Sequence, residues 1–291
     1  MVHQTAVGRA LQWPSVDIFS EVARLRRAGE KCALATIVSA RGSIPSYESA
    51  KLLVREDGSM AGTVGGGCVE AQVLVAAREV METGRPRTLS FELSGDGAAE
   101  SGLICGGELE VFVEPVLPQP VAVIFGAGHI SKSLSKVAAL AGFSTVIVDD
   151  RASFANRERF PEADEVHAAE FEEVFPRLSI NASSFLIIVT RGHKDDLRVL
   201  RLAARSPAAY VAMIGSRKKV IELLRELERE GVPQAALERL HAPMGLDIGA
   251  ITPEEIAVAV VAEMIAVRRN APPAWKEISK SIHLRKARKG G

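Results

Sequence analysis

From Val121 onward the chain repeats one pattern: a short apolar run, a turn, then a helical stretch. The runs are Val121 to Phe125, Thr145 to Asp149, Ser184 to Thr190 and Tyr210 to Ile214, and the helices among them follow Gly128, Arg191 and Gly215. A strand that is apolar on both faces has to be covered on both faces. Helical crossovers do this, and they run the strands parallel. The pattern therefore predicts a Rossmann-like, doubly wound parallel α/β sheet. Its last helix has a sequence-level start: Thr252-Pro253-Glu254-Glu255 offers a capping box with proline at the first helical position. That helix is apolar nearly all round, so it is either buried or a subunit contact, which leaves room for a homodimer.

The first turn of this region is Gly126-Ala127-Gly128-His129-Ile130-Ser131, placed after a strand and opening a helix, with Asp149 ending the next strand 23 residues after Gly126. This is the context of a dinucleotide-binding fingerprint. Glycines let the backbone approach a phosphate, and the helix N-terminus offers free N–H groups and partial positive charge. Asp149 suits a ribose 2′-hydroxyl, which favours NAD-like over NADP-like ligands. Ser131 stands where a third glycine would allow close helix–strand packing. The other strand ends carry Arg191-Gly192-His193, Gly215-Ser216-Arg217-Lys218 and Gly245-Leu246-Asp247-Ile248-Gly249. Ser216 and Arg217 open a helix, a natural anion site, and His129 and His193 are placed to face one cleft. Lys218 and Lys219 read as solvated.

The first part of the chain has a different rhythm. Helices are predicted over Ser15 to Ala28 and Cys68 to Glu82. Strands are predicted over Lys31 to Ala40, Lys51 to Arg55, Thr88 to Leu93 and Glu108 to Val113. Three prolines in Pro115-Val116-Leu117-Pro118-Gln119-Pro120 mark a stiff linker. The expected organisation is a smaller α+β domain over 1–117 and the Rossmann-like domain over 118–291. A basic tail, 271–291, closes the chain and reads as disordered from Trp275 on.

Chemistry in the first part concentrates in Gly65-Gly66-Gly67-Cys68, which leads straight into a helix, and in Cys105-Gly106-Gly107. A thiolate at a helix N-terminus is a better nucleophile and soft-metal ligand. Cys68 and Cys105 are thus candidate metal ligands, or else small buried residues beside turn glycines. Cys32 lies in a strand pattern and reads as core. Arg41-Gly42-Ser43-Ile44-Pro45 is either an anion-friendly loop or a plain turn.

Zero net charge over 291 residues gives no bulk attraction to nucleic acid or membrane. No apolar stretch is long enough to span a bilayer, since Ile256 to Val267 is short and interrupted by Glu263. The N-terminus has no signal-peptide pattern. Three widely spaced cysteines without Cys-x-x-Cys disfavour a disulfide framework or structural zinc and fit a cytoplasmic protein.

Taken in order, these motifs resemble the XdhC/CoxI family, the accessory proteins of xanthine dehydrogenase and related molybdenum hydroxylases. The resemblance runs through Gly42-Ser43-x-Pro45, Gly62-Thr63-Val64-Gly65-Gly66-Gly67-Cys68-Val69-Glu70, Cys105-Gly106-Gly107, Phe125-Gly126-Ala127-Gly128-His129, Val148-Asp149-Asp150-Arg151, Gly192-His193-Lys194, Met213-Ile214-Gly215-Ser216-Arg217 and His241 to Gly249. It implies a protein that binds molybdenum cofactor and protects it while a cysteine desulfurase partner installs its terminal sulfido ligand. The protein would then help insert the cofactor into the hydroxylase apo-enzyme, with no turnover of its own. On this reading Cys68 and Cys105 suit the metal end, and Gly126, Gly128 and Ser216 suit a phosphate. Two departures stand out. Ser46-Tyr47-Glu48-Ser49-Ala50 replaces the family's Arg-x-x-Gly-Ala, and Thr190-Arg191-Gly192-His193 replaces Thr-His-Gly-His. The competing readings are an NAD(P)-dependent oxidoreductase using the fingerprint and Asp149, and a sulfur carrier that takes persulfide on Cys68.

Overall fold

The structure, a computed structural model, describes residues 17–42, 49–65, 67–92 and 107–283. The chain divides into two units, with the division between Pro118 and Gln119.

The first unit is a five-stranded antiparallel sheet of order β3-β2-β1-β5-β4. Its strands are β1 (Cys32–Gly42), β2 (Lys51–Arg55), β3 (Met60–Gly62), β4 (Arg87–Glu92) and β5 (Gly107–Val116). Alternation assigns the faces. Ala33, Ala35 and Ile37 of β1 and Leu109, Val111 and Val113 of β5 point to one side, where they meet Val69, Val73, Ala76 and Val80 of helix α2 (Gly67–Thr83). On the other side Cys32 and Leu53 pack on Leu25 of helix α1 (Ile18–Ala28). The helix expected from Ser15 starts at Ile18, because the Asp17 carboxylate caps it by accepting from the amides of Phe19 and Ser20. Burial pushes the Cys32 thiol up to about 11, as suits a core residue.

The expected linker is shorter than its prolines suggested. Strand β5 runs on to Val116, with Pro115 opposite Ala33 of β1. Proline is tolerated there because β4 has already ended, at Arg87 opposite Val113, so one side of β5 is an open edge.

The second unit is a six-stranded, all-parallel sheet of order β11-β10-β9-β6-β7-β8. The strands are β6 (Val121–Phe125), β7 (Ser144–Asp149), β8 (Glu165–Ala168), β9 (Ser184–Ile188), β10 (Tyr210–Met213) and β11 (Leu240–His241). Helices α3 (His129–Leu140) and α6 (Pro253–Arg268) cover one face, against Ile124, Ile147 and Ile187. Helices α4 (His193–Ala203) and α5 (Arg217–Arg229) cover the other, against Phe125, Val148 and Ile188. The mixed α/β class and doubly wound sheet are thus as the apolar runs predict. The two edge strands were missed, since β8 is only half-buried and β11 has two residues.

Helix α6 has the full capping box: Thr252 accepts from Glu255 N, and Glu255 accepts from Thr252 N. Its one buried acid, Glu263, explains why the C-terminal segment is ordered and corrects the expectation of a tail disordered from Trp275. Glu263 accepts hydrogen bonds from Tyr210 Oη and Ser279 Oγ, both at 2.6 Å, and from Gly245 N at 2.8 Å. The segment is pinned further by Lys280 N to Gly245 O, by Ile282 N to Ala242 O, and by Trp275 stacked on His241. Residues 284–291 lie outside the described residues. Among the described residues, no helix is long and apolar enough to cross a membrane.

Candidate functional site

From β6 the chain moves to β7 and β8 on one side of the sheet, then returns to β9 on the other. The crevice between the carboxyl ends of β6 and β9 is therefore the topological switch point, where open α/β sheets bind ligands. Two helices begin there. Gly128 caps α3 and Gly192 caps α4, and neither cap has a side-chain acceptor. On the neighbouring strand Ser216 caps α5 and accepts from Lys219 N at 3.2 Å. His129, His193 and Arg217 are the first residues of these three helices, and all three are exposed.

The glycines of this edge differ in what they are for. Gly126 has φ +105°, and a Cβ on it would lie 2.5 Å from Val189 O, so the adjoining backbone requires glycine. Gly128 has an ordinary φ of −76°, and a Cβ there would meet nothing within 4 Å. The extended backbone of Gly192 has the same open space before it. Nothing in the fold asks for glycine at these two caps. A ligand coming close to two helix N-termini would, and an anionic phosphate fits the partial charge that those termini present.

Two of the expected contact residues are otherwise engaged. Ser131 is fully buried between helix and sheet, so its hydroxyl packs rather than lining the crevice. Asp149, expected to hold a ribose hydroxyl, is 2% exposed and saturated. It accepts from Ala127 N at 2.8 Å, from Arg151 N at 3.0 Å, and from Arg151 Nε and Nη2 at 2.8 and 2.9 Å. Burial pushes its carboxyl up, but the Arg151 guanidinium and the two amides outweigh this and hold it below its ordinary value.

Ionic residues around the crevice are largely paired. Arg191 reaches Asp150 at 2.7 Å and Asp195 at 3.2 Å, and so ties the end of β7 to α4. Lys219, read as solvated, instead pairs with the fully buried Asp196, which also accepts from Thr190 Oγ1. Burial dominates at Asp196 and pushes its carboxyl up despite both partners.

Sequence reasoning missed Arg159 and Phe154. The Arg159 guanidinium lies 5.0 Å from the Phe154 ring centroid, and Arg151 lies 3.8 Å from the same ring. Arg159 Nη2 donates to Ala127 O at 3.3 Å, inside the glycine turn. The only signal was a cation ten residues after Asp149, which is too weak to single out without the fold.

In the first unit the glycine run is likewise mixed in purpose. Gly62 has φ +87°, and a Cβ on it would lie 2.3 Å from Lys51 O, so strand pairing fixes it. Thr63 Oγ1 accepts from Gly65 N at 3.2 Å and donates to Glu70 at 2.6 Å, which folds the turn onto the first turn of α2. Gly67 has φ +57° and open space where its Cβ would be. Cys68 follows as an exposed free thiol, with Gln72 Nε2 3.7 Å from its Sγ. Gly66 and the other candidate, Cys105 with Gly106, lie outside the described residues, as does the loop at 43–48. Among the described residues no three His, Cys, Asp or Glu side chains gather as a metal site.

Each of the two units matches a known family model. Residues 122–264 match the XdhC Rossmann domain, and residues 25–92 match the XdhC and CoxI family. YqeB of Escherichia coli K12, a protein described as uncharacterized, is 38% identical over 258 residues, covering 88% of this chain and 47% of YqeB. A probable xanthine dehydrogenase subunit of Bacillus subtilis 168 is 29% identical over 159 residues, covering 55% of this chain and 46% of that protein. The molybdenum cofactor insertion chaperone PaoD of Escherichia coli K12 is 24% identical over 272 residues, covering 83% of this chain and 85% of PaoD. The chain thus spans about half the length of the first two relatives and most of the third.

Proposed function

The chain belongs to the XdhC/CoxI family, and from that premise we propose that it binds molybdenum cofactor and serves in the maturation of a molybdenum hydroxylase. The observation that carries this reading is the pair of glycine-capped helices at the switch point. Both leave the space of a side chain empty in front of free N–H groups, without any backbone need for glycine. The names of two relatives, a molybdenum cofactor insertion chaperone and a probable xanthine dehydrogenase subunit, support the same assignment.

In this proposal the amides that open α3 and α4 receive the phosphate of the pterin, and the exposed His129 and His193 flank it. Separately, within the first unit, the exposed thiol of Cys68 and Cys105 are the proposed soft donors for the metal. When bound, the cofactor supplies a dithiolene-held metal with a reactive terminal ligand. The protein's part is to hold it and keep it from water and thiols until a cytoplasmic apo-hydroxylase receives it. A cysteine desulfurase is the proposed partner for sulfuration. The proposed role is that of a carrier, without a turnover of its own.

The alternative, an NAD(P)-dependent oxidoreductase, is weakened by Asp149, whose acceptor positions are filled by Arg151 and Ala127. One preparation tests both. Protein isolated from a molybdenum-replete host should carry molybdenum and pterin in near-stoichiometric amounts and pass them to an apo-hydroxylase. Protein that carries neither, and that binds and turns over nicotinamide nucleotides, would reverse the assignment.

A further inference from the structure

Among the described residues, the Arg159 guanidinium beside the glycine turn takes no part in the ion pairs around it. Arg151 is neutralised by Asp149 and lies 3.9 Å from Asp150, and Asp150 is held by Arg191. Arg159 has no ion pair among the described residues. It is half-buried, its Nε is buried without a hydrogen-bond partner, and its Nη2 rests on Ala127 O, one residue before the Gly128 cap. The Phe154 ring, shared with Arg151, packs against it as a cation–π platform. Holding an uncompensated guanidinium partly out of water is unfavourable unless an anion completes it.

Resting on the reading of the crevice as a cofactor site, we propose that Arg159 and the N-terminus of α3 together form a seat for a phosphate monoester. The ligand is then gripped at this edge by a terminal phosphate and not by a ribose diol. Two observations point the same way from opposite sides. The acid that would take a diol is saturated, while the cation next to the open Gly128 cap pairs with no carboxylate among the described residues. A monoester carries a charge of about −1.5 to −2 at neutral pH. A diester carries one charge, so a full guanidinium added to a helix terminus discriminates in favour of the monoester. Terminal phosphate of a pterin and the 2′-phosphate of a dinucleotide share this chemistry.

The test uses the full chain and two matched pairs of probes. One pair is a fluorescent pterin with a phosphorylated side chain and the same pterin after phosphatase treatment; the other is NADP+ and NAD+. Wild type should bind the phosphorylated pterin about tenfold or more tightly than its dephosphorylated form. Arg159→Gln should abolish that preference, and Arg159→Lys should restore part of it, which separates lost charge from a disturbed loop. Equal affinity for both pterins in wild type, or an undiminished preference in Arg159→Gln, overturns the seat while leaving cofactor retention, and so the proposed function, intact. If the Arg159-dependent preference appears for NADP+ over NAD+ and not for the pterins, the seat stands and the cofactor assignment falls. Failure to bind any of the four, in protein that also retains no cofactor, overturns both.

Discussion

Arg151 grips Asp149 side on, Nε to Oδ1 at 2.8 Å and Nη2 to Oδ2 at 2.9 Å, and the pair closes the end of β7. The same carboxylate also holds Ala127 N, so it ties the glycine turn of the neighbouring strand to its own. Asp149→Ala should therefore cost about 3–5 kcal/mol, because it strands a guanidinium and a buried amide together. Its pH signature has a definite sign. The folded carboxyl sits below its ordinary value, so its stabilisation is complete above about pH 4 and is lost as pH falls through the folded value. Melting temperatures from pH 7 down to 3 should fall more steeply below pH 4 for wild type than for Asp149→Asn. Parallel curves would show that the pair adds nothing.

Gly126 and Gly128 should respond oppositely to the same substitution. Alanine at Gly126 places a Cβ 2.5 Å from Val189 O at a φ of +105°, and a loss of about 2 kcal/mol or more is expected. Alanine at Gly128 meets nothing and keeps an allowed φ, so thermal stability should stay within about 0.5 kcal/mol of wild type. Retention of molybdenum cofactor should fall only in proportion to unfolding in the first variant, but several-fold in the folded second one. Calorimetry with metal analysis on the same samples decides this, and full retention in Gly128→Ala counts against the cradle.

Cys68 is exposed and Cys32 is buried with its thiol pushed up to about 11. Native protein treated with iodoacetamide at pH 8 should be alkylated at Cys68 and spared at Cys32, as read by peptide mass spectrometry. Cys68→Ser should leave stability within about 0.5 kcal/mol, since a surface change away from packing seldom does more. If the thiol serves as a soft donor, the serine protein will hold less molybdenum at unchanged fold. Unchanged metal content removes Cys68 as a metal donor.

Glu263 organises the C-terminal segment from inside α6. Burial pushes its carboxyl up, while His241, Ser279 and Tyr210 more than offset this and hold it below its ordinary value. Glu263→Ala should cost about 3–5 kcal/mol, the range for removing one member of a buried ionic cluster. Hydrogen exchange should then quicken first at the amides of Lys280 and Ile282, whose bonds to Gly245 and Ala242 depend on the cluster. Uniform quickening across the second unit would mean that Glu263 supports the whole sheet rather than this segment.

The sequence was most informative where one residue type admits one role. Apolar runs revealed the parallel sheet, and Thr252-Pro253-Glu254-Glu255 revealed the start of α6 to the residue. The glycine turn was legible as a strand-to-helix turn at the carboxyl edge of the sheet because strand, glycine and helix follow without a gap. What stayed hidden was partnership across distance. That Asp149 belongs to Arg151, Lys219 to Asp196 and Ser279 to Glu263 depends on which side chains the fold brings together. Composition is silent on such pairs, so a lysine read as solvated, a tail read as disordered and an acid read as a ribose ligand all changed meaning. Pro115 misled for a related reason, since its place on an open strand edge is a property of where β4 stops.

Helices α5 and α6 start on Ser216 and Thr252, which supply their own acceptors, whereas α3 and α4 start on glycine and supply none. A capping side chain is worth about 1 kcal/mol over alanine and a few tenths over glycine, and it occupies an N–H that glycine leaves open. The two helices of the crevice are therefore left unfinished in the empty protein, and an incoming anion completes both at once. Loading should toughen the molecule in a way that a protease can sense: the apo form is cut first near these helix starts, the filled form later. In a cell, such a difference would let degradation clear empty carriers and spare those with cargo aboard.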